Sequence, residues 1–292
     1  MISNEGFLVE STVSAEDLRK KILPYRDQER IRNAWLEERF ETVLPKIMKR
    51  CGIDLWVVAC KEYNEDPVLT TMVPAAMMTA RRTTILAFHL QEDGKIRRMA
   101  LTRPNVGLDG YYESVWTHQK DSLWQDPNAT YPPETQFECL ARIVRELKPN
   151  KIGLNYSPTY SFGDGLTYSL YQKIMEALDD EYKARVVSAE HLCIGWLETR
   201  TKSEMAAYTG IMQIAHAMIA EAFSSRVVHP GVTTNEDVKY FMMQKVIDLG
   251  LIPWFDFEVS IRRAGVGTVY GETVIMPGDI LHCDVGLKYL NL

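Results

Sequence analysis

The chain has 292 residues, 25% charged and 46% hydrophobic, which is the composition of a globular protein long enough for about two domains. Lys+Arg 33 against Asp+Glu 39 gives a net charge of −6, which argues against a nucleic-acid partner held by a basic field. No apolar run nears the roughly 20 residues of a membrane helix. Met1 to Glu10 also lacks the basic-then-apolar order of a secretory signal, so a cytoplasmic location is expected. The five cysteines (Cys51, Cys60, Cys139, Cys193, Cys283) form no CxxC pair. Their odd count and wide spacing point to reduced thiols.

The first strong helical period runs over Asp27 to Arg50. Ile31, Trp35, Phe40, Val43, Leu44 and Ile47 recur near helical spacing, and Cys51-Gly52 stops the run. Ile53 to Cys60 is short, apolar and β-branched, the pattern of a buried strand. Thr83 to Leu90 and Arg97 to Thr102 read as two strands joined by the turn Gln91-Glu92-Asp93-Gly94. Leu101 to Pro133 has no clean period and is read as loops. Gln136 to Leu147 is an amphipathic helix stopped by Lys148-Pro149-Asn150. A strand at Lys151 to Asn155, a helix at Leu166 to Leu178 and a short strand at Arg185 to Ser188 follow. This alternation predicts an α/β domain with a mainly parallel or mixed sheet, covering residues 1–195.

The pattern then changes. Glu198 to Glu204 is a polar hinge, and Ser203 is placed to cap a long helix reaching about Arg226. After the turn His229-Pro230-Gly231, Thr233 with Glu236 matches a capping box, and the helix it opens ends at Gly250. Phe255, Phe257, Val259 and Ile261 alternate with polar residues, as in a half-buried strand. Met276-Pro277-Gly278-Asp279 makes a turn, and Ile280 to Val285 a further strand. Residues 196–292 form the second domain.

Asp284 is the most informative residue. A carboxylate near the end of an apolar strand needs a cation, donors or a metal, or else caps the turn at Gly286. His282 lies two residues earlier and shares its strand face, so the pair could meet a metal or simply each other. Asp279 reads as a turn residue. His89, His216 and His229 have no partner identifiable from spacing and read as structural. Met72, Met77 and Met78 read as packing. Tyr111, Tyr112, Trp116 and Trp124 make an aromatic-rich stretch, either a binding surface or a satellite core. No GxGxxG, Walker A, GxSxG or HExxH pattern occurs.

Five segments occur in a fixed order: ETRTKSEMAAYTGIMQIAHAM, HPGVTTNEDV, a helix ending in DLG, a strand ending in RRAG, and PGDILHCDVGLKY. Together they resemble the start of the catalytic domain of the creatinase/prolidase/Xaa-Pro aminopeptidase group, the pita-bread metallopeptidases. The preceding region resembles that group's N-terminal domain. The resemblance implies a ribonuclease H-like α/β N-terminal domain followed by an incomplete α+β pita-bread domain. It implies that Asp284 is the first, bidentate metal ligand.

The resemblance further implies two divalent ions, manganese, cobalt or zinc. In this chemistry such ions generate a hydroxide and polarise the scissile carbonyl. The group's second aspartate falls eleven residues after the first, which here is past Leu292, and its histidine and two glutamates come later still. The chain is therefore expected to be a fragment of a longer enzyme, inactive alone, with no stably bound metal. Catalytic acid and base residues are expected beyond residue 292. Val266 to Thr273 also lacks the group's substrate-contacting histidine, a role for which Tyr270 is the candidate. A peptide substrate and a homodimer are implied, with hydrolysis beside proline as the activity. The alternatives are a non-catalytic peptide- or protein-binding module and a creatinase-type C–N hydrolase.

Overall fold

A computed structural model describes residues 15–103, 107–120 and 127–292. In chain order the helices are α1 (Ala15–Lys20), α2 (Tyr25–Thr42), α3 (Leu44–Cys51), α4 (Gln136–Leu147), α5 (Tyr168–Ala177), α6 (Asp180–Lys183), α7 (Glu190–Glu198), α8 (Lys202–Ala222) and α9 (Asn235–Asp248). The strands are β1 (Leu55–Lys61), β2 (Thr83–Leu90), β3 (Ile96–Leu101), β4 (Glu113–Ser114), β5 (Ile152–Leu154), β6 (Val186–Ser188), β7 (Ile252–Pro253), β8 (Glu258–Arg263), β9 (Gly267–Val269), β10 (Ile280–Asp284) and β11 (Leu287–Lys288). Contacts divide the chain into two compact units. One is Glu29–Thr201, and the other joins residues 15–28 to Lys202–Leu292. Residue 195 falls inside α7, so the chain leaves the first unit only after that helix ends.

The first unit is built on a mixed six-stranded sheet of order β4-β3-β2-β1-β5-β6. β1 is central, antiparallel to β2 and parallel to β5. Its sequence LWVVACK is nearly all apolar because both faces are covered. Trp56, Val58 and Cys60 join one core with Phe40, Phe88 and Trp196. Leu55, Val57 and Ala59 join another with Leu140, Ile143 and Leu170. The single helix expected over Asp27 to Arg50 is two helices meeting at Val43. Pro45 explains the break, since it has no N–H to donate and its ring crowds the carbonyl four residues back. Gly52 closes α3 in the left-handed region at φ 63°, as a stop signal requires.

α4 starts with a capping box between Thr135 and Glu138. The stretch expected to be only loops contains β4, a two-residue edge strand parallel to β3. α6 and α7 carry no clear sequence signal and are additions to the expected elements.

In the second unit, β10, β8 and β9 form an antiparallel sheet of order β10-β8-β9. β7 pairs separately with β11. The helix expected to start after Ser203 starts at Lys202, so Ser203 lies in its first turn and not at its cap. It ends at Ala222 rather than near Arg226. The capping box of α9 is Thr234 with Asp237, one residue later than expected. Thr233 is instead buried, and its hydroxyl accepts from His229 N–H (2.9 Å) and donates to Val227 O (3.1 Å). The strand expected to begin at Phe255 begins at Glu258. α1, unmarked in sequence, belongs to this unit: Arg19 donates to Asp248 O (3.1 Å), and Leu23 N–H to the Tyr289 hydroxyl (2.8 Å).

Candidate functional site

The three-stranded sheet has one covered face and one open face. Val259 and Ile261 of β8 are buried, and β8 packs on α9, whose Val238, Met242 and Val246 recur every four residues and are also buried. Alternation then turns Glu258 and Arg262 outward, and both are exposed. β10 repeats the pattern: Leu281 and Cys283 are half-buried, while Ile280, His282 and Asp284 are exposed. The register sets Asp284 directly opposite Glu258 and His282 opposite Ser260. His282 and Asp284 therefore share a face, but each faces a residue of β8 across the ladder.

Two carboxylates opposed across a ladder repel. A cation between them would relieve that repulsion, and oxygen donors suit a hard or borderline divalent ion. Among the described residues, however, no group of three or more His, Cys, Asp and Glu side chains is arranged to hold a metal. Asp284 and Glu258 thus offer carboxylate donors, and the described residues do not fit a two-metal centre. Glu258 was not singled out in the sequence. It sits in an ordinary alternating strand, and only the pairing register gives it meaning.

The strands are held in place by two polar clamps. Asp279 closes the Pro-Gly-Asp turn and accepts from Arg263 twice, Nε to Oδ1 at 2.9 Å and Nη2 to Oδ2 at 2.7 Å. It also accepts from Met276 N–H (2.8 Å). The Arg263 guanidinium, then that N–H, hold its carboxyl down at about 2. This ties the end of β8 to the start of β10. Asn235, the first residue of α9, is buried. Its amide donates to Val259 O (3.0 Å) and Gly271 O (3.3 Å), and its carbonyl accepts from Thr273 N–H (2.8 Å). Arg263 and Asn235 were both missed in the sequence, although each lies in a quoted motif. Tyr270 lies one residue past β9 and is 87% exposed.

The remaining sequence candidates divide between buried and exposed positions, and the exposed Met78 is not the packing residue expected. His216 is exposed on α8, and His229 precedes the turn into α9. His89 pairs with Leu55 in the first unit's sheet, and burial lowers its pKa. Met72 and Met77 are buried, while Met78 is exposed. Tyr112 is buried and donates to Met72 O (2.5 Å), and Trp116 donates to Glu134 O (3.0 Å). Tyr111 packs at the edge of the same core. As far as it is described, the aromatic stretch is not a satellite core but part of the unit's two main cores, Tyr111 and Tyr112 on one and Trp116 on the other, and Trp124 lies outside the described residues. All five cysteines are free.

One buried carboxylate was not anticipated. Asp66 is fully buried and accepts from Val68 N–H (2.8 Å) and Asn155 Nδ2 (2.9 Å). Asn155 in turn accepts from Trp56 Nε1 (2.7 Å). Burial pushes the Asp66 carboxyl up to about 6, against the pull of those hydrogen bonds.

These features define an α/β unit followed by an α-helical and β-sheet unit with an open carboxylate-bearing face. Solved structures of proline-directed peptidases share this fold. An Xaa-Pro dipeptidase from Bacillus anthracis is 20% identical, with a TM-score of 0.50 over 87% of this chain and 62% of that one. An X-Pro aminopeptidase from Thermotoga maritima is 14% identical, with a TM-score of 0.53 over 84% of this chain and 62% of that one. Aminopeptidase P from E. coli, solved with the inhibitor Pro-Leu, is 12% identical, with a TM-score of 0.51 over 92% of this chain and 60% of that one. The chain therefore spans about three fifths of these enzymes. The resemblance read from the five motifs is to this same pita-bread group. No family model matches the sequence, and no curated protein does. Among the described residues no helix is long and apolar enough to cross a membrane.

Proposed function

We propose that this chain is part of a metal-dependent peptidase of prolidase or Xaa-Pro aminopeptidase type, which hydrolyses peptide bonds beside proline. On this reading the N-terminal part is a creatinase/prolidase-like domain, and the rest is the first part of a pita-bread domain. The observation that supports it is the position of Asp284. It is exposed at the end of β10, opposite Glu258, in a chain with the fold of those peptidases.

Asp284 would give one carboxylate to a manganese, cobalt or zinc ion, and Glu258 stands where it can give another. A bound divalent ion polarises a peptide carbonyl and activates water. The chain's own contribution is orientation. Pairing with β8 fixes the direction of the Asp284 side chain, and the Arg263–Asp279 clamp fixes the strand start. A peptide substrate and a homodimer belong to the same proposal.

The test uses the full-length protein and its Asp284→Asn variant. Release of the residue preceding proline from short Xaa-Pro peptides is measured with manganese, cobalt or zinc after chelation. Metal-dependent cleavage is expected, reduced about a hundredfold or more in the variant. No cleavage with any of the three ions, or an unchanged variant, would overturn the proposal. Saturable peptide binding without turnover would favour the binding-module alternative.

A further inference from the structure

The first unit carries a cleft that the peptidase reading does not use. It lies between the end of α3, the start of β5, the edge strand β6 and α7, and it has a volume of about 540 Å³. Arg50, Lys151 and His191 line it, and among the described residues no carboxylate does. Its apolar wall is Ile53, Val187 and Ile194. A cleft of this size with one charged side and one apolar side suits a small organic ligand.

The packing explains why the cations converge. α3 packs on α7, and Gly195 lets it come close. A Cβ on Gly195 would stand 2.5 Å from Arg50 Nη2 and 3.1 Å from Ile47 Cγ2. The Arg50 guanidinium therefore lies across α7 at Gly195. His191 is one turn earlier on the same helix, four residues away, and so shares that face. Lys151 enters beside them just before β5.

The acidic groups nearest in sequence, Glu190 and Asp54, already accept hydrogen bonds from other groups. Glu190 takes hydrogen bonds from Ser157 and, at 2.9 Å, from Thr159. Asp54 accepts from the backbone N–H groups of Asn150 and Lys151, both at 2.8 Å. Ser188 is likewise engaged, donating to Tyr156 O at 2.5 Å. Arg50, Lys151 and His191 are all exposed, and among the described residues none of them is held in an ion pair, although the charge of His191 reaches Glu190.

We propose that this cleft binds a small organic anion. Its phosphate or carboxylate head would meet Arg50, Lys151 and His191, and its apolar body would lie on Ile53, Val187 and Ile194. The guanidinium would grip the head in a two-pronged hydrogen bond, which a lysine cannot match. The site is independent of Asp284 and of any metal.

Phenyl phosphate is the probe, with neutral benzyl alcohol as its uncharged counterpart. Binding to the full chain is followed by calorimetry at fixed ionic strength. The variants are Arg50→Gln, Lys151→Gln and the charge-matched control Arg145→Gln, on the other side of the same unit. Saturable phenyl phosphate binding is expected, weakened tenfold or more by Lys151→Gln alone and further by Arg50→Gln. Arg145→Gln and wild type should bind alike, and benzyl alcohol should not saturate. No saturable binding, or equal weakening by all three variants, would overturn the proposal. Lys151 lies at the surface, so its variant keeps the test valid if Arg50→Gln fails to fold. Peptidase activity is not read, so failure here leaves the Asp284 proposal standing.

Discussion

The two sheets of this protein obey opposite rules. In the Glu29–Thr201 unit, β1 is buried on both faces and has no room for an exposed side chain until Lys61. In the other unit, β10 alternates exposed and half-buried residues from end to end. A sheet covered twice spends its side chains on packing. A sheet covered once leaves every second residue free for chemistry, and there the two opposed carboxylates stand. The difference also sets what a carboxylate experiences: Asp66 in the first unit is stripped of water, whereas Asp279 in the second is wrapped by a guanidinium.

The largest expected effect comes from breaking the doubly covered sheet. Phe88 is fully buried, with ring centroids 6.0 Å from Phe40, 5.8 Å from Trp56 and 5.9 Å from Tyr112. Phe88→Ala should destabilise the protein by about 3–5 kcal/mol, the usual range for removing a buried aromatic. Ile280→Ala on the open face, where Ile280 is 66% exposed, should stay within about 0.5 kcal/mol. Urea midpoints at fixed slope compare the two. Similar losses would show that the open face is packed and would end the contrast.

The second test uses pH, because the two aspartates shift in opposite directions. An unfolded aspartate titrates near 3.9. Folded Asp66 titrates at about 6, so between those values the native state keeps a proton that the unfolded chain has lost. Stability should therefore fall as pH rises from about 4 to 6, by about 3 kcal/mol at most. Folded Asp279 titrates at about 2, so its contribution is complete above pH 4 and is lost as pH falls towards 2. The combined contribution of these two aspartates should peak near pH 4, while His89, whose pKa burial lowers, adds an opposite slope towards neutral pH. Asp66→Asn should flatten the limb above the peak, and Asp279→Asn the limb below it. If Asp66→Asn leaves the upper limb unchanged, its carboxyl is not stripped of water.

Much of the first unit was legible because its punctuation is local. β2 and α4 have the bounds the sequence suggests, one followed by a Gly-containing turn and the other stopped by Lys148-Pro149. α7 was not legible. EHLCIGWLE has Leu192, Cys193, Gly195 and Trp196 all buried, so it lacks a polar face to mark its period. The capping box of α9 slipped by one residue because TTNED offers two threonines with the same spacing to an acid. Only the tertiary bonds of Thr233 to His229 and Val227 decide between them. Asp284 was legible as a carboxylate in an apolar strand. Glu258 was not, because its partner is set by register between strands far apart in the sequence.

The smallest expected effect is also the most discriminating. If Asp284 and Glu258 merely face each other across the ladder, neutralising one relieves a like-charge pair at a solvated surface. Without metal, Asp284→Asn should then raise stability by a few tenths of a kcal/mol. If the pair shares a divalent ion, the sign reverses once metal is added. The ion stabilises the folded state of the wild type by mass action, and the variant loses most of that gain. Thermal midpoints of the full-length protein, measured with chelator and then with excess manganese, separate the two contributions. Asp284→Asn that destabilises the metal-free protein by more than about 1 kcal/mol would mean that the carboxylate has a structural partner. At that position the open face would then serve the fold, as the buried sheet does throughout.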